Sequence, residues 1–243
     1  MRRLEAMKYS LRQRSIGVFS ACLLLVISAS SVSAQKKSRL QDATRHAQEA
    51  SEVFTEIMNV REHAIPKELL DKAEAIAVFP DVIKAAFIIG GKGGKGLISK
   101  RTPKGWSAPA FFNIGGGSFG AQIGATKTDY VLLIMNQQGL KGLLEDKFEL
   151  GGEIGIAAGP VGREAAASTN ATLDAGILSY SRSKGAFIGA ALKGAVISPD
   201  NHLNEAVYNM KGSEVLTGNA MTLTQMPAGV RIFPRTLARY SVR

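Results

Sequence analysis

Residues 84–127 read KAAFIIGGKGGKGLISKRTPKGWSAPAFFNIGGGSFGAQIGATK, and their alternation sets the fold class. From Lys84 onward the apolar pattern takes a period of two, the mark of β-strands. Lys84 to Gly91 is expected to form one strand and Leu97 to Arg101 its partner, joined by a glycine-lysine turn. Ala108 to Ile114 reads as a third strand. Phe119, Ala121, Ile123 and Ala125 alternate with Gly120, Gln122 and Gly124. The stretch holds seven lysines or arginines and no carboxylate; the nearest acids are Asp81 and Asp129. A basic, glycine-rich segment attracts anions and lets another surface approach its backbone closely.

Strand patterns continue downstream. Tyr130 to Met135 is a continuous apolar run, Gly139 to Leu144 a helical turn. Phe148 to Ala158, Arg163 to Leu173, Gly176 to Ser181 and Gly185 to Ile197 read as further strands, and Asn201 to Met210 and Ser213 to Leu216 as short helices. Repeated in-strand glycines weaken strands, so they imply sharp coiling or close approach of a second layer. Upstream, Leu40, Ala43, Ala47, Ala50, Phe54 and Ile57 fall on one face of a helix over Leu40 to Val60. Its other face is mostly acidic, unlike a membrane-surface helix, so this stripe is expected to pack on the domain. Ile65-Pro66 opens a second short helix, and Ala75 to Phe79 is a buried strand ended by Pro80-Asp81. The sum is an α+β domain: N-terminal helices on a curved, glycine-rich antiparallel sheet or barrel, with short C-terminal helices.

Residues 1–34 read as a signal peptide. Arg2, Arg3, Lys8, Arg12 and Arg14 precede the apolar run Ile16 to Ala29, and Val32-Ser33-Ala34 fits a cleavage site. Cys22 permits a lipoprotein reading, and an uncleaved N-terminal anchor is the other alternative. The protein is thus expected to be exported, periplasmic or extracellular, as one domain over residues 35–243. Five of the 30 basic and one of the 20 acidic residues lie in the leader, which reduces the net charge from +10 to +6. No cysteine follows Cys22, so disulfides and thiol chemistry are not expected.

Enzyme motifs are weak. Gly90 to Gly96 (GGKGGKG) lacks the Ser or Thr that follows Gly-Lys in a nucleotide P-loop. Gly115 to Gly120 matches G-x-G-x-x-G, but strand alternation follows it instead of a helix. Gly116 to Gly120 also spells G-x-S-x-G around Ser118, with Asp174 and His202 downstream; this serine hydrolase is the best enzyme alternative. His46, His63 and His202 are not at ligand spacing, so no metal and no cofactor is expected. The Arg231, Arg235, Arg239 and Arg243 tail reads either as solvated or as an electrostatic contact to an anionic membrane surface, with Pro234 interrupting any single helix.

Several strings in order resemble the SYLF domain family, also called DUF500 or Ysc84-like. They are IPKELL with AEAIAVFP, KAAFIIGGKGGKGLISKR, GWSAPAFFNI, GSFGAQIGATKTDYVLLIMN, LGGEIGIAAGPVGRE, and SKGAFIGAALKGAVISPD followed by NEAVYNM. They span about Ile65 to Met210. The resemblance implies binding of phosphoinositide-like or other anionic membrane lipids, and actin for some eukaryotic relatives that carry Src-homology-3 or FYVE modules. This chain has a leader in place of such modules, so it looks like a stand-alone bacterial form and actin is not the expected partner. Nucleic acid is not expected either. The expected function is non-catalytic binding of anionic lipid at a membrane surface, with Lys92, Lys95, Lys100, Arg101 and Lys104 attracting head groups. Trp106 is either an interface anchor or a buried structural residue. The alternative function is a structural or protein-binding module of the cell envelope.

Overall fold

The computed structural model describes residues 35–60, 64–86, 89–119, 124–152, 154–161, 175–183, 186–189, 192–217, 221 and 223–241. The chain divides into a unit Met1–Leu40, of which residues 35–40 are described and helical, and a compact unit Gln41–Arg243. In the second unit residues 41–59 form α1, and Lys67–Lys72 form α2. Five strands follow: β1 (Ala75–Ala86), β2 (Ile89–Thr102), β3 (Gly105–Trp106), β4 (Ala110–Phe119) and β5 (Gly124–Ile134). Then come α3 (Gln137–Leu143), β6 (Phe148–Glu149), β7 (Ile156–Ala158), β8 (Ile177–Ser183), β9 (Ala186–Gly189) and β10 (Val196–Pro199). Helices α4 (Asn201–Tyr208), α5 (Gly212–Thr217) and α6 (Ile232–Tyr240) close the chain, α6 after a 3-10 turn at Ala228–Arg231.

The strands form one sheet in the order β6-β10-β4-β2-β1-β5-β8-β7, with β3 on β2 and β9 on β8. Every pairing is antiparallel except β7 with β8, which is parallel. Among the described residues β6 and β7 remain edges, so the sheet is curved and open, an α+β fold as expected. Its centre is covered on both faces. Ala75 to Phe79 and Val131 to Ile134 are fully buried at every position, which accounts for their unbroken apolar sequence.

The sequence expectation for β1 and β2 needs correction. Pro80-Asp81 does not end the first strand. It is a bulge: the register with β5 slips between Phe79 and Val82, and Asp81 takes a positive φ of 49°. The Asp81 N–H donates to Asp129 Oδ1 at 2.9 Å, and its carboxylate meets Lys127 Nζ at 2.7 Å, so the left-handed conformation is held from both sides. GGKGGKG is likewise no turn. It lies within β2, hydrogen-bonded between β1 and β4. The bulge explains two of its glycines. A Cβ on Gly96 would stand 2.3 Å from Val78 O and 2.4 Å from Phe79 Cδ1, and one on Gly94 2.8 Å from Val82 Cγ2.

The helices clamp this sheet. Ala43, Ala47, Ala50, Phe54 and Ile57 are buried as the stripe implied, whereas Leu40, in the first unit, is exposed. Phe54 meets Tyr240 of α6 edge-to-face at 5.8 Å, and Arg182 of β8 bonds Glu56 of α1 and Asp129 of β5. Asn204 of α4, fully buried, donates to Phe111 O and accepts from Phe111 N, replacing a strand partner for β4. The C-terminal tail is also corrected: Pro234 sits in the first turn of α6, where no intrahelical N–H is required, and Phe233 and Leu237 are buried. The strand expected over Arg163 to Leu173 lies outside the described residues. Among them no helix is long and apolar enough to cross a membrane.

Candidate functional site

Six residues were expected to form one cationic site, and the fold separates them. Lys92 and Lys100 lie eight residues apart on one extended strand, about 26 Å. Lys92 and Lys95, three residues apart, point to opposite faces of β2. Lys95 pairs with Asp200 at 2.9 Å, where the carboxylate also caps α4 by accepting from Leu203 N. Lys100 is half-buried, its backbone locked to Ser107 by bonds of 2.8 and 2.9 Å. Lys104 is exposed on the β2–β3 turn, which Gly105 closes with a φ of 112°.

Arg101 and Trp106 are removed from the surface altogether. Arg101 is only 8% exposed, and Trp106 only 7%. The guanidinium donates to Ala73 O at 2.9 Å, to Leu70 O at 2.6 Å and to Ser241 Oγ. It lies 4.3 Å from the centre of the Trp106 ring. It therefore caps the C-terminus of α2 and ties it to the end of α6. Both residues are parts of the frame and cannot reach a head group. Their spacing in sequence gave no warning, because Arg101's partners come from Leu70 and Ala73 upstream and from Ser241, 140 residues downstream.

Lys84, left out of the expected set, takes the place they vacate. It stands directly opposite Lys92 across the β1–β2 ladder; Thr126 of β5 is opposite Lys84 and Gly116 of β4 opposite Lys92. These four form one row across four strands, their side-chain positions on one face. Lys84 is exposed and Lys92 half-buried. The Lys92 stem lies across Gly116, where a Cβ would stand 3.2 Å from Lys92 Cε. Burial pulls the Lys92 ammonium below the usual lysine range, and the Lys84 charge pushes the same way. Like charges directly opposite one another destabilise a ladder. Neither lysine has an ion pair among the described residues. Cations near α1 are neutralised instead: Lys127 by Asp81, and Arg182 by Asp129 and Glu56. The signal that would have found Lys84 was strand continuity through the Pro80-Asp81 bulge.

The hydrolase alternative loses its geometry. Ser118 is paired opposite Gly90 within β4, and the next described element is β5, so the strand–turn–helix of a nucleophile elbow is missing. His202 follows Pro199, which is opposite Phe112; Ser118 is six residues further along β4, about 20 Å. Asp174 lies outside the described residues.

Residues 115–240 match the family model described as "Ysc84: Las17-binding protein actin regulator". LAS seventeen-binding protein 3 of Saccharomyces cerevisiae is 34% identical over 163 residues, which cover 65% of this chain and 35% of the relative. SH3 domain-containing YSC84-like protein 1 of Xenopus laevis is 28% identical over 212 residues, 84% of this chain and 63% of the relative. The same protein of Rattus norvegicus is 30% identical over 188 residues, 75% and 55%. The chain thus spans about a third of the length of the yeast relatives it matches.

Proposed function

The chain belongs to the Ysc84 family, and from that premise we propose that it is a non-catalytic module that binds anionic lipid head groups at a membrane surface. One observation carries the reading. Lys84, exposed, and Lys92, half-buried, are held opposite each other on one sheet face, at a cost in repulsion that a bound phosphate would cancel. A lipid phosphate offers several acceptor oxygens to two ammonium groups, with the Thr126 hydroxyl in the same row. Lys104, exposed at the other end of β2, belongs to no such row. The family description and the yeast relative's name attach Las17 binding and actin regulation to those proteins. The leader-like residues 1–34 support export, and an exported chain does not meet actin, so lipid is the partner proposed.

The test is co-sedimentation of residues 35–243, which contain the whole compact unit 41–243 with its core, with phosphatidylcholine vesicles lacking or containing anionic lipid. Binding is expected only to the anionic vesicles and is expected to weaken as salt rises, since exposed charges are screened over about 10 Å at 0.1 M. A panel of phosphatidylglycerol, phosphatidylserine and phosphoinositide head groups identifies the lipid. Equal binding to neutral vesicles, or none to any, refutes the reading.

A further inference from the structure

Outward from the Lys84–Lys92 row the sheet carries no charge. The register continues through Ala125, Ala85, Gly91 and Gly117, then Gly124, Ala86, Gly90 and Ser118, and reaches the Ile89–Phe119 pair. Ile89 is three residues from Lys92, about 10 Å of strand. In the sequence, residues 85–91 and 114–126 contain no ionisable side chain of either sign. In the first row outward Ala85, Gly91, Gly117 and Ala125 are exposed, while Gly90 in the second is buried. A Cβ on Gly117 would meet nothing within 4 Å, so packing among the described residues does not explain this glycine as it explains Gly94 and Gly96. The one charged pair just behind the row, Lys127 with Asp81, is internally neutral.

We propose that this end of the β4-β2-β1-β5 ribbon enters the interfacial layer of a bilayer, with Lys84 and Lys92 forming a collar at the level of the lipid phosphates. The inference rests on the lipid-binding reading and adds orientation and depth to it. Two ammonium groups mark the boundary between a charged body and an uncharged end, the order in which phosphates and acyl chains follow one another in a membrane. A second copy of this chain would instead bring the same lysine row against itself. The sheet edges limit the depth. β10 pairs with β4 no further out than Gly115, and β8 with β5 no further out than Asp129. Beyond those points the outer backbone groups have no strand partner among the described residues and need water or phosphate, which the hydrocarbon core does not supply. Entry is therefore shallow, about 5–10 Å, the depth at which interfacial elements lie.

Residues 35–243 contain no cysteine, which makes site-specific labelling direct. Ala85→Cys, Ala125→Cys and, as a control on the exposed side of α6, Ala238→Cys are labelled with an environment-sensitive fluorophore. Each is mixed with anionic vesicles carrying a spin label at a shallow acyl position. At 85 and 125 the emission is expected to shift to the blue and to be quenched at least about twofold, with no change at 238, for proteins that co-sediment and melt like wild type. Co-sedimentation with unchanged emission at 85 and 125 overturns the insertion and leaves head-group binding standing. Equal quenching at 238 overturns the orientation. Absence of vesicle binding by the unlabelled protein overturns both.

Discussion

Arg101→Met tests whether the most buried cation of the central stretch is a structural pin. The substitution keeps a long apolar stem but removes donors to Ala73 O and Leu70 O, at 2.9 and 2.6 Å, and to Ser241 Oγ. It also removes the charge 4.3 Å from the Trp106 ring centre. Hydrogen bonds from a charged donor are worth about 1.5–3 kcal/mol each and do not add simply. Methionine packing offsets part of the loss, while the α2 carbonyls forfeit a buried donor. The net expectation is about 3–5 kcal/mol of lost stability. A domain of this size loses about 2–4 °C of melting temperature per kcal/mol, hence about 6–20 °C. Urea unfolding followed by far-ultraviolet circular dichroism should show a lower midpoint at an unchanged slope. In a double-mutant cycle with Ser241→Ala, the two should couple by more than about 0.5 kcal/mol, because the hydroxyl shares the guanidinium. Below its melting temperature Arg101→Met should bind vesicles like wild type. A variant that melts within about 1 kcal/mol of wild type but loses lipid binding would refute the assignment and return Arg101 to the site.

Three further outcomes follow from packing and titration. Gly96→Ala should cost about 1–3 kcal/mol or more by urea midpoint, since its Cβ would strike the Val78 and Phe79 bulge, whereas Gly93→Ala should stay within about 0.5 kcal/mol. Phe54→Asp should prevent folding or cost several kcal/mol, roughly, because it places a carboxylate among fully buried residues; an unchanged melting curve would mean that the α1 stripe does not face this core. For Asp200, burial raises the carboxyl pKa, but bonds from Lys95 and Leu203 N–H outweigh it and hold the group below its usual range. Its stability contribution should be complete above about pH 4 and lost as pH falls through the lower folded-state value, so Asp200→Asn should flatten that acid limb.

Much of the fold was legible because burial imposes periodicity. The α1 stripe from Ala43 to Ile57 and the apolar run Tyr130 to Met135 had one possible use each, and α4 and α5 were found at nearly their observed bounds. The bulge was not legible. Pro80-Asp81 carries the composition of a strand end, and only Asp129 and Lys127, more than 40 residues away, show that the chain continues extended. GGKGGKG misled for a related reason. Glycine marks turns, but here Gly94 and Gly96 make room for that same bulge inside a strand. The site inherited both errors. Grouping cations by nearness in sequence placed Lys95 and Arg101 beside Lys92, whereas strand alternation and long-range partners send them elsewhere. A correct register alone brings Lys84 to Lys92.

The direct test of the lipid site is the double variant Lys84→Gln/Lys92→Gln in residues 35–243, measured by vesicle co-sedimentation with its melting curve recorded alongside. Each basic residue near an anionic surface is worth about 1 kcal/mol, so losing two should weaken binding about 30-fold. The melting temperature should hold or rise slightly, because a like-charge pair has been removed from the ladder. A double variant that folds like wild type and binds anionic vesicles with wild-type affinity would contradict the account.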